Sequence, residues 1–187
     1  LYYLDVGGKY KDANADYRDE DLNDYKWFTI HNCSMNSSMV LSNSDSIYGI
    51  NVDTYNLEPS GDIELLGNIC NLDNYTNLLY LNLESNKIDG NISSLQNLHN
   101  LTYLNLNYTN VSGNISSLSN LNNLETLYLS NTNVSGNISD LSNLSKLKEL
   151  NFFGALHITG NISYLSNLNN LETLVLSSTN ISGNISS

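Results

Sequence analysis

The chain has 187 residues, 19 acidic against 7 basic side chains, a formal net charge of −12 and one proline, Pro59. That length fits one ordinary domain, and so acidic a chain repels phosphate backbones, which argues against nucleic acid as a partner. No apolar run is long enough to cross a bilayer and no basic amphipathic stretch would lie on one, while plentiful, regularly spaced apolar residues exclude disorder.

Most of the acidic surplus precedes Leu78, in stretches such as DANADYRDEDLND (12–24). Asp12, Asn14 and Asp16 stand there at the first three ligand places of a calcium loop, since a hard cation takes oxygen ligands from alternate positions. Tyr17 replaces the sharp-turn glycine and Asn23 the final bidentate Glu. The match to a Ca2+ site is therefore incomplete, and a solvated acidic face or short helix is the preferred reading. No other cofactor is expected. Cys33 and Cys70, the only cysteines, fit either one disulfide or two buried thiols. No CxxC or HExxH metal pattern is present.

From Leu78 the chain repeats. Leu78, Leu101, Leu124, Leu147 and Leu171 open units at steps of 23, 23, 23 and 24 residues, a period that means stacked coils. In LTYLNLNYTNVSGNISSLSNLNN (101–123) the apolar places are Leu101, Leu104, Leu106, Val111, Ile115, Leu118 and Leu121. Leu104-Asn105-Leu106 alternates as a short strand does. One coil cannot bury its leucines alone, but coils stacked at about 4.8 Å share a dry interior and a parallel sheet along one face.

After each strand the chain must turn. Gly90, Gly113, Gly136, Gly160 and Gly183 hold that place in successive units, where glycine permits backbone angles other residues resist. The following Asn91, Asn114, Asn137, Asn161 and Asn184 are turn formers expected to hydrogen-bond along a column. Asn86, Thr109, Thr132 and Thr179 supply small polar groups to satisfy backbone in the strand exit. Asn97, Asn120, Asn143 and Asn167 form a further column in the return segment. These asparagines read as structural. The Asn-Ile-Ser triplets that the repeat generates would be glycan acceptors in a eukaryotic secreted protein, but they follow from the repeat itself.

Upstream, IYGINVDTYNLEPSGDI (47–63) fits one stretched unit, with Ile47, Ile50, Val52 and Leu57 inward, Gly61-Asp62-Ile63 as its turn, and ELLGNICNLDNYTN (64–77) as a long return. The expected organisation is an N-terminal cap region at 1–46, which shields the first coil's apolar flank, and an array at 47–187 with its stretched unit at 47–77 and regular units at 78–187. The unit at 147 breaks rank. FFGALH (152–157) brings one extra residue, with Phe152 inward, Phe153 or Leu156 projecting and His157 in a loop; a tolerated insertion is the preferred reading, and a local bulge of the sheet that marks a contact site is the sharper alternative.

The pattern LxxLxLxx(N/T)x(V/I)xGNIxxLxxLxx, from Leu78 to Ser187, resembles the leucine-rich repeat family. The SGNI turn is similar to the plant-type subclass, with Ser116, Ser139, Ser163 and Ser186 in place of its usual proline, and the LSNLxNL return resembles the internalin-like bacterial subclass. The order Trp27, Ile30, Cys33 resembles the plant-type N-terminal cap. The resemblance implies an α/β solenoid: a right-handed superhelix with a parallel sheet on the concave face and a mostly irregular or 3-10 convex side.

Catalysis needs a nucleophile with its base, paired carboxylates in a pocket, or a metal. His31, His99 and His157 lie in unrelated contexts, so no enzyme is expected. The residues between the inward leucines face the concave side, and Tyr80, Asn82, Tyr103, Asn105, Tyr108, Tyr128, Asn151 and Phe153 are the candidate contacts. Tyrosine gives much contact area for little lost side-chain freedom. The expected function is a noncatalytic binding or adhesion module that recognises a protein or a glycan, at a cell surface, in a secreted protein or on a virion. The alternative is a structural virion or surface-assembly component docked through the last coil, where Ser187 falls inside a unit; a longer chain or a larger assembly would cover that coil.

Overall fold

The computed structural model describes residues 2–5, 9–12, 27–31, 49–51, 66–73, 75–85 and 87–184. Each regular coil begins with a three-residue strand: β6 (Tyr80–Asn82), β8 (Tyr103–Asn105), β10 (Thr126–Tyr128), β12 (Glu149–Asn151) and β14 (Thr173–Val175). They pair in parallel and in repeat register, Leu81 with Leu104, Leu104 with Leu127, Leu127 with Leu150 and Leu150 with Leu174. The same sheet continues toward the N-terminus through β4 (Gly49–Asn51), which sets Ile50 against Leu81, then β3 (Trp27–His31), β1 (Tyr2–Asp5) and β2 (Lys9–Asp12). β1 and β2 pair antiparallel, so a hairpin ends this nine-stranded sheet.

A second ladder follows the turn glycines: β9 (Ser112–Asn114), β11 (Asn133–Asn137), β13 (His157–Asn161) and β15 (Asn180–Ser182), with β5 (Leu66–Asn68) pairing β7 (Lys87–Asp89) alongside. Each return then opens with one 3-10 turn, at Ile69–Leu72, Ile92–Leu95, Ile115–Leu118, Ile138–Leu141 and Ile162–Leu165. The described residues contain no α-helix. This is the solenoid the repeat period requires, with parallel strands on the concave side and tight irregular returns on the convex side.

The interior is the stack of inward places. Leu81, Leu104, Leu127 and Leu150 are fully buried, as are all seven apolar residues of the 101–123 unit. Burial of this kind, at about 1.5–3 kcal/mol for each such side chain, is the dominant gross stabilisation of the stack, and no single coil could achieve it unaided.

The turn column explains why Gly-Asn recurs. Asn91, Asn114, Asn137 and Asn161 each accept a hydrogen bond through Oδ1 from the serine amide two residues on, capping the 3-10 turn of their own coil. The next coil's glycine lies directly against that amide. A Cβ on Gly113, which has φ +105°, would stand 2.3 Å from Asn91 Oδ1. The column is thus an interlock between neighbouring coils, and the expected hydrogen bonding along it is replaced by a bond within each coil.

Two further expectations change. Gly67-Asn68-Ile69 takes the turn place next to the 78 unit, because β5 pairs with β7 and Asn68 packs under Gly90; Gly61-Asp62-Ile63, the expected turn, lies outside the described residues. Inter-coil bonds in the return come from Asn100, Asn123 and Asn170, whose amides donate to Thr76, His99 and Ser145 carbonyls, while Asn97, Asn120, Asn143 and Asn167 are exposed. The insertion in the 147 unit is a tolerated one and not a bulge of the sheet: β12 keeps register with both neighbours and the extra residue is absorbed in the strand exit. Asp12 ends β2, and Cys70 lies in the first 3-10 turn. Asn14, Asp16 and Cys33 lie outside the described residues, and with them the calcium and disulfide expectations.

Candidate binding face

Alternation along each strand sends the residues flanking the buried leucine to the sheet face, and register then stacks them in columns across the coils. Tyr80 and Tyr103 occupy one column and stack nearly parallel, with ring centroids 4.3 Å apart at 8°. Tyr128 sits in the adjacent column and meets Tyr103 edge to face at 6.0 Å and 74°. The three rings form a half-buried pavement over coils one to three. The Tyr128 hydroxyl donates to Glu149, and Glu84 accepts from the Asn105 amide at 2.9 Å. One carboxylate therefore stands at each side of the pavement.

Two of the phenols, Tyr80 and Tyr103, resist ionisation. Burial pushes the Tyr103 hydroxyl up from its ordinary 10.0 to about 12, helped by the neighbouring Tyr80 and Glu84. Burial raises Tyr80 as well.

Beneath the rings runs a hydrogen-bond chain that the alternation pattern did not reveal. Asn105 Nδ2 donates to Glu84, and Asn105 Oδ1 accepts from the Asn107 amide. Asn107 Oδ1 accepts from Ser130 N at 2.7 Å, and the Ser130 hydroxyl donates to Asn151 Oδ1, which also accepts from Phe153 N. Four coils are tied together this way.

Of the eight candidate contacts, Tyr80, Asn82, Tyr103, Tyr128 and Asn151 are part-exposed on the face. Asn105 is not: at 3% exposure its side chain belongs to the chain of bonds beneath the rings, because a strand-end amide there reaches sideways to Glu84 more readily than outward to solvent. Tyr108 and Phe153 project at the rim where the chain leaves the sheet. Tyr108 does so from left-handed backbone, φ 56°, a place costly for a bulky residue. Leu156, more than half exposed, extends this apolar rim. Among the described residues no group of three or more His, Cys, Asp or Glu converges as a metal site would require, and no helix is long and apolar enough to cross a membrane.

No protein-family model and no curated protein matches the chain. Solved structures do. A TDR receptor is 30% identical over 86% of this chain and 26% of its own, with a TM-score of 0.63. The plant peptide hormone receptor RGFR1, in complex with RGF2, is 29% identical over 72% of this chain and 21% of its own, at 0.60. An internalin of Listeria monocytogenes shares the fold at 24% identity, over 83% of this chain and 48% of its own, at 0.59. The chain thus spans less than half the length of each. With its 23-residue register, its stacked inward leucines and its parallel sheet built one strand per regular coil along the concave face, the chain belongs to the leucine-rich repeat family.

Proposed function

We propose that the chain is a noncatalytic binding module of an extracellular protein and that it grips a polypeptide on its concave sheet face. The observation that carries this reading is the tyrosine pavement. Tyr80, Tyr103 and Tyr128 are locked against one another, so their contact area is presented with little rotamer freedom left to lose on binding. Because Tyr80 and Tyr103 cover each other's ring faces, the stacking surface a sugar ring would use is largely taken up, which favours protein over glycan. The likeness to a receptor bound to a peptide hormone supports a protein partner.

The test compares beads carrying the wild-type chain with beads carrying Tyr103→Ala/Tyr128→Ala. Both are passed over native extracellular material pretreated with protease or with glycosidase. A partner held by the wild type, lost on the variant and destroyed by protease alone is expected; equal capture on both sets of beads would remove the sheet face from the function.

A further inference from the structure

We infer that the polypeptide gripped on this face presents a neutral apolar side chain, seated over Ser130 between Tyr108, Tyr128 and Phe153, with its flanking backbone carbonyls held by the side-chain amides of Asn107 and Asn151. The inference rests on the binding reading above and adds the chemistry of the partner's anchor residue.

Two fixed donors carry it. Asn107 Oδ1 accepts from the Ser130 amide at 2.7 Å, and Asn151 Oδ1 accepts from the Phe153 amide at 3.0 Å and from the Ser130 hydroxyl at 2.7 Å. A backbone N–H only donates, so each side-chain amide has its oxygen spent within the protein and its Nδ2 turned away from that bond. Neither Nδ2 has a partner among the described residues. Asn107 is only 7% exposed, yet no buried side-chain nitrogen or oxygen among the described residues lacks a partner, so its Nδ2 opens to the surface. Both amides converge on Ser130. A donor held this way gains most from an acceptor that arrives with a group able to exclude water around it.

The surroundings supply the apolar half. Asn107, Ser130 and Phe153 each follow the second inward residue of successive coils, Leu106, Leu129 and Phe152. At a strand spacing of about 4.8 Å, Asn107 and Phe153 stand about 10 Å apart. Ser130 between them has the smallest side chain of the three, is 2% exposed and has its hydroxyl proton spent on Asn151, so the face is low there and flanked by rings. Phe153 and Tyr108 are 42% and 54% exposed at the rim, and Tyr128 precedes Ser130 on the sheet side. Covering these rings with an apolar side chain is favourable. A carbonyl on either side of that side chain is what a polypeptide carries at every residue. Glu149, which accepts from Tyr128 and lies two residues before Asn151, disfavours a carboxylate as the acceptor and leaves the neutral carbonyl.

The experiment is selection of a displayed random-peptide library on the intact chain, with Tyr103→Ala/Tyr128→Ala as the counter-target. Enrichment, on the wild type alone, of peptides that share one apolar residue is expected. For the tightest peptide, Phe153→Ser should weaken binding about tenfold or more. Asn107→Asp keeps the acceptor for Ser130 but puts an oxygen where Nδ2 stood, and should weaken it as much. Asn167→Asp adds the same charge on the exposed return side and should leave binding unchanged. Variants are compared at matching thermal midpoints, and Asn151→Asp makes the donor test at the more exposed amide should Asn107→Asp fail to fold. Tyrosine-dependent peptides with no common apolar residue, or binding indifferent to Phe153→Ser or to the loss of the donors, would overturn the anchor and leave the sheet face standing; no enrichment over the counter-target would overturn both. Equal loss with Asn167→Asp and Asn107→Asp would reduce the donor effect to net charge and sink the assignment.

Discussion

The unit at 124–146 and the unit at 147–170 occupy successive coils with the same fold and solve one problem in two ways. In the first, the carbonyl of inward Leu129 is satisfied by the Thr132 hydroxyl at 2.7 Å, as Thr109 and Thr179 do for Leu106 and Leu176. In the second, Ala155 stands in the threonine place and its backbone N–H takes the Phe152 carbonyl at 3.0 Å. Leu156 then loops outward, and Ile158 returns to the interior in register. A carbonyl that must be satisfied accepts either donor, so the sequence here is constrained by hydrogen-bond accounting rather than by residue identity. Gly154 follows the same logic. The strand-exit place has left-handed backbone in every regular coil, filled by Ser85, Tyr108, Asn131 and Ser178 elsewhere, and Gly154 takes it where a Cβ would meet Asn131 Oδ1 at 2.4 Å.

The largest effect is expected from emptying the equivalent inward places. Phe152 and Leu129 are both fully buried, but the larger ring leaves the larger cavity. Phe152→Ala should cost about 3–5 kcal/mol and Leu129→Ala about 2–5 kcal/mol, with the first the greater, by chemical denaturation of the whole chain. Equal and small losses would mean that the irregular unit packs loosely.

Next in size is the interlock. Gly113→Ala should cost about 2 kcal/mol, from left-handed strain together with the clash on Asn91. Asn91→Ala alone should cost about 1 kcal/mol through the lost turn cap. The pair should cost less than their sum by about 1 kcal/mol. Strict additivity would show that the glycine answers only to its backbone angle.

These outcomes bear on what could be read beforehand. The period, the inward leucines and the glycine turns were legible because burial and backbone geometry act on each residue type in every coil. Within the stretched unit Gly61-Asp62-Ile63 and Gly67-Asn68-Ile69 have similar local chemistry, and only pairing with the next coil singles out the second as a turn of the ladder. The tyrosine columns were legible from alternation. Alternation does not distinguish Asn105 from Asn82 and does not encode the Asn105–Asn107–Ser130–Asn151 chain, since side-chain bonds between coils depend on register and rotamer together. The bonds of Asn100, Asn123 and Asn170 are hidden from the sequence for the same reason.

A smaller effect is expected from making the two units alike. Deleting Leu156 with Ala155→Thr converts the irregular exit into the regular one and restores the hydroxyl bond to the inward carbonyl. Stability should change by no more than about 1 kcal/mol, read from the same denaturation curves. A larger loss would mean that the loop itself is part of the packing and not an outward detour.

The smallest effect separates the halves by titration. The tyrosine half of the face carries Tyr103, raised to about 12 by burial and then by Tyr80 and Glu84, while the irregular half presents Phe153, which has no proton to lose. With the folded value above the unfolded one, the folded state holds its proton longer. Its contribution is complete below pH 10 and is lost as pH climbs toward 12. Stability should therefore fall across that window, and the ultraviolet phenolate band should show Tyr103 ionising late. Glu84→Gln and Tyr80→Phe should each bring Tyr103 down by removing a neighbouring charge, whereas Phe153→Leu should leave the curve where it was. A late-titrating phenol that ignores Tyr80 would mean that the two rings do not stack, and the pavement on which the binding face is built would be lost with it.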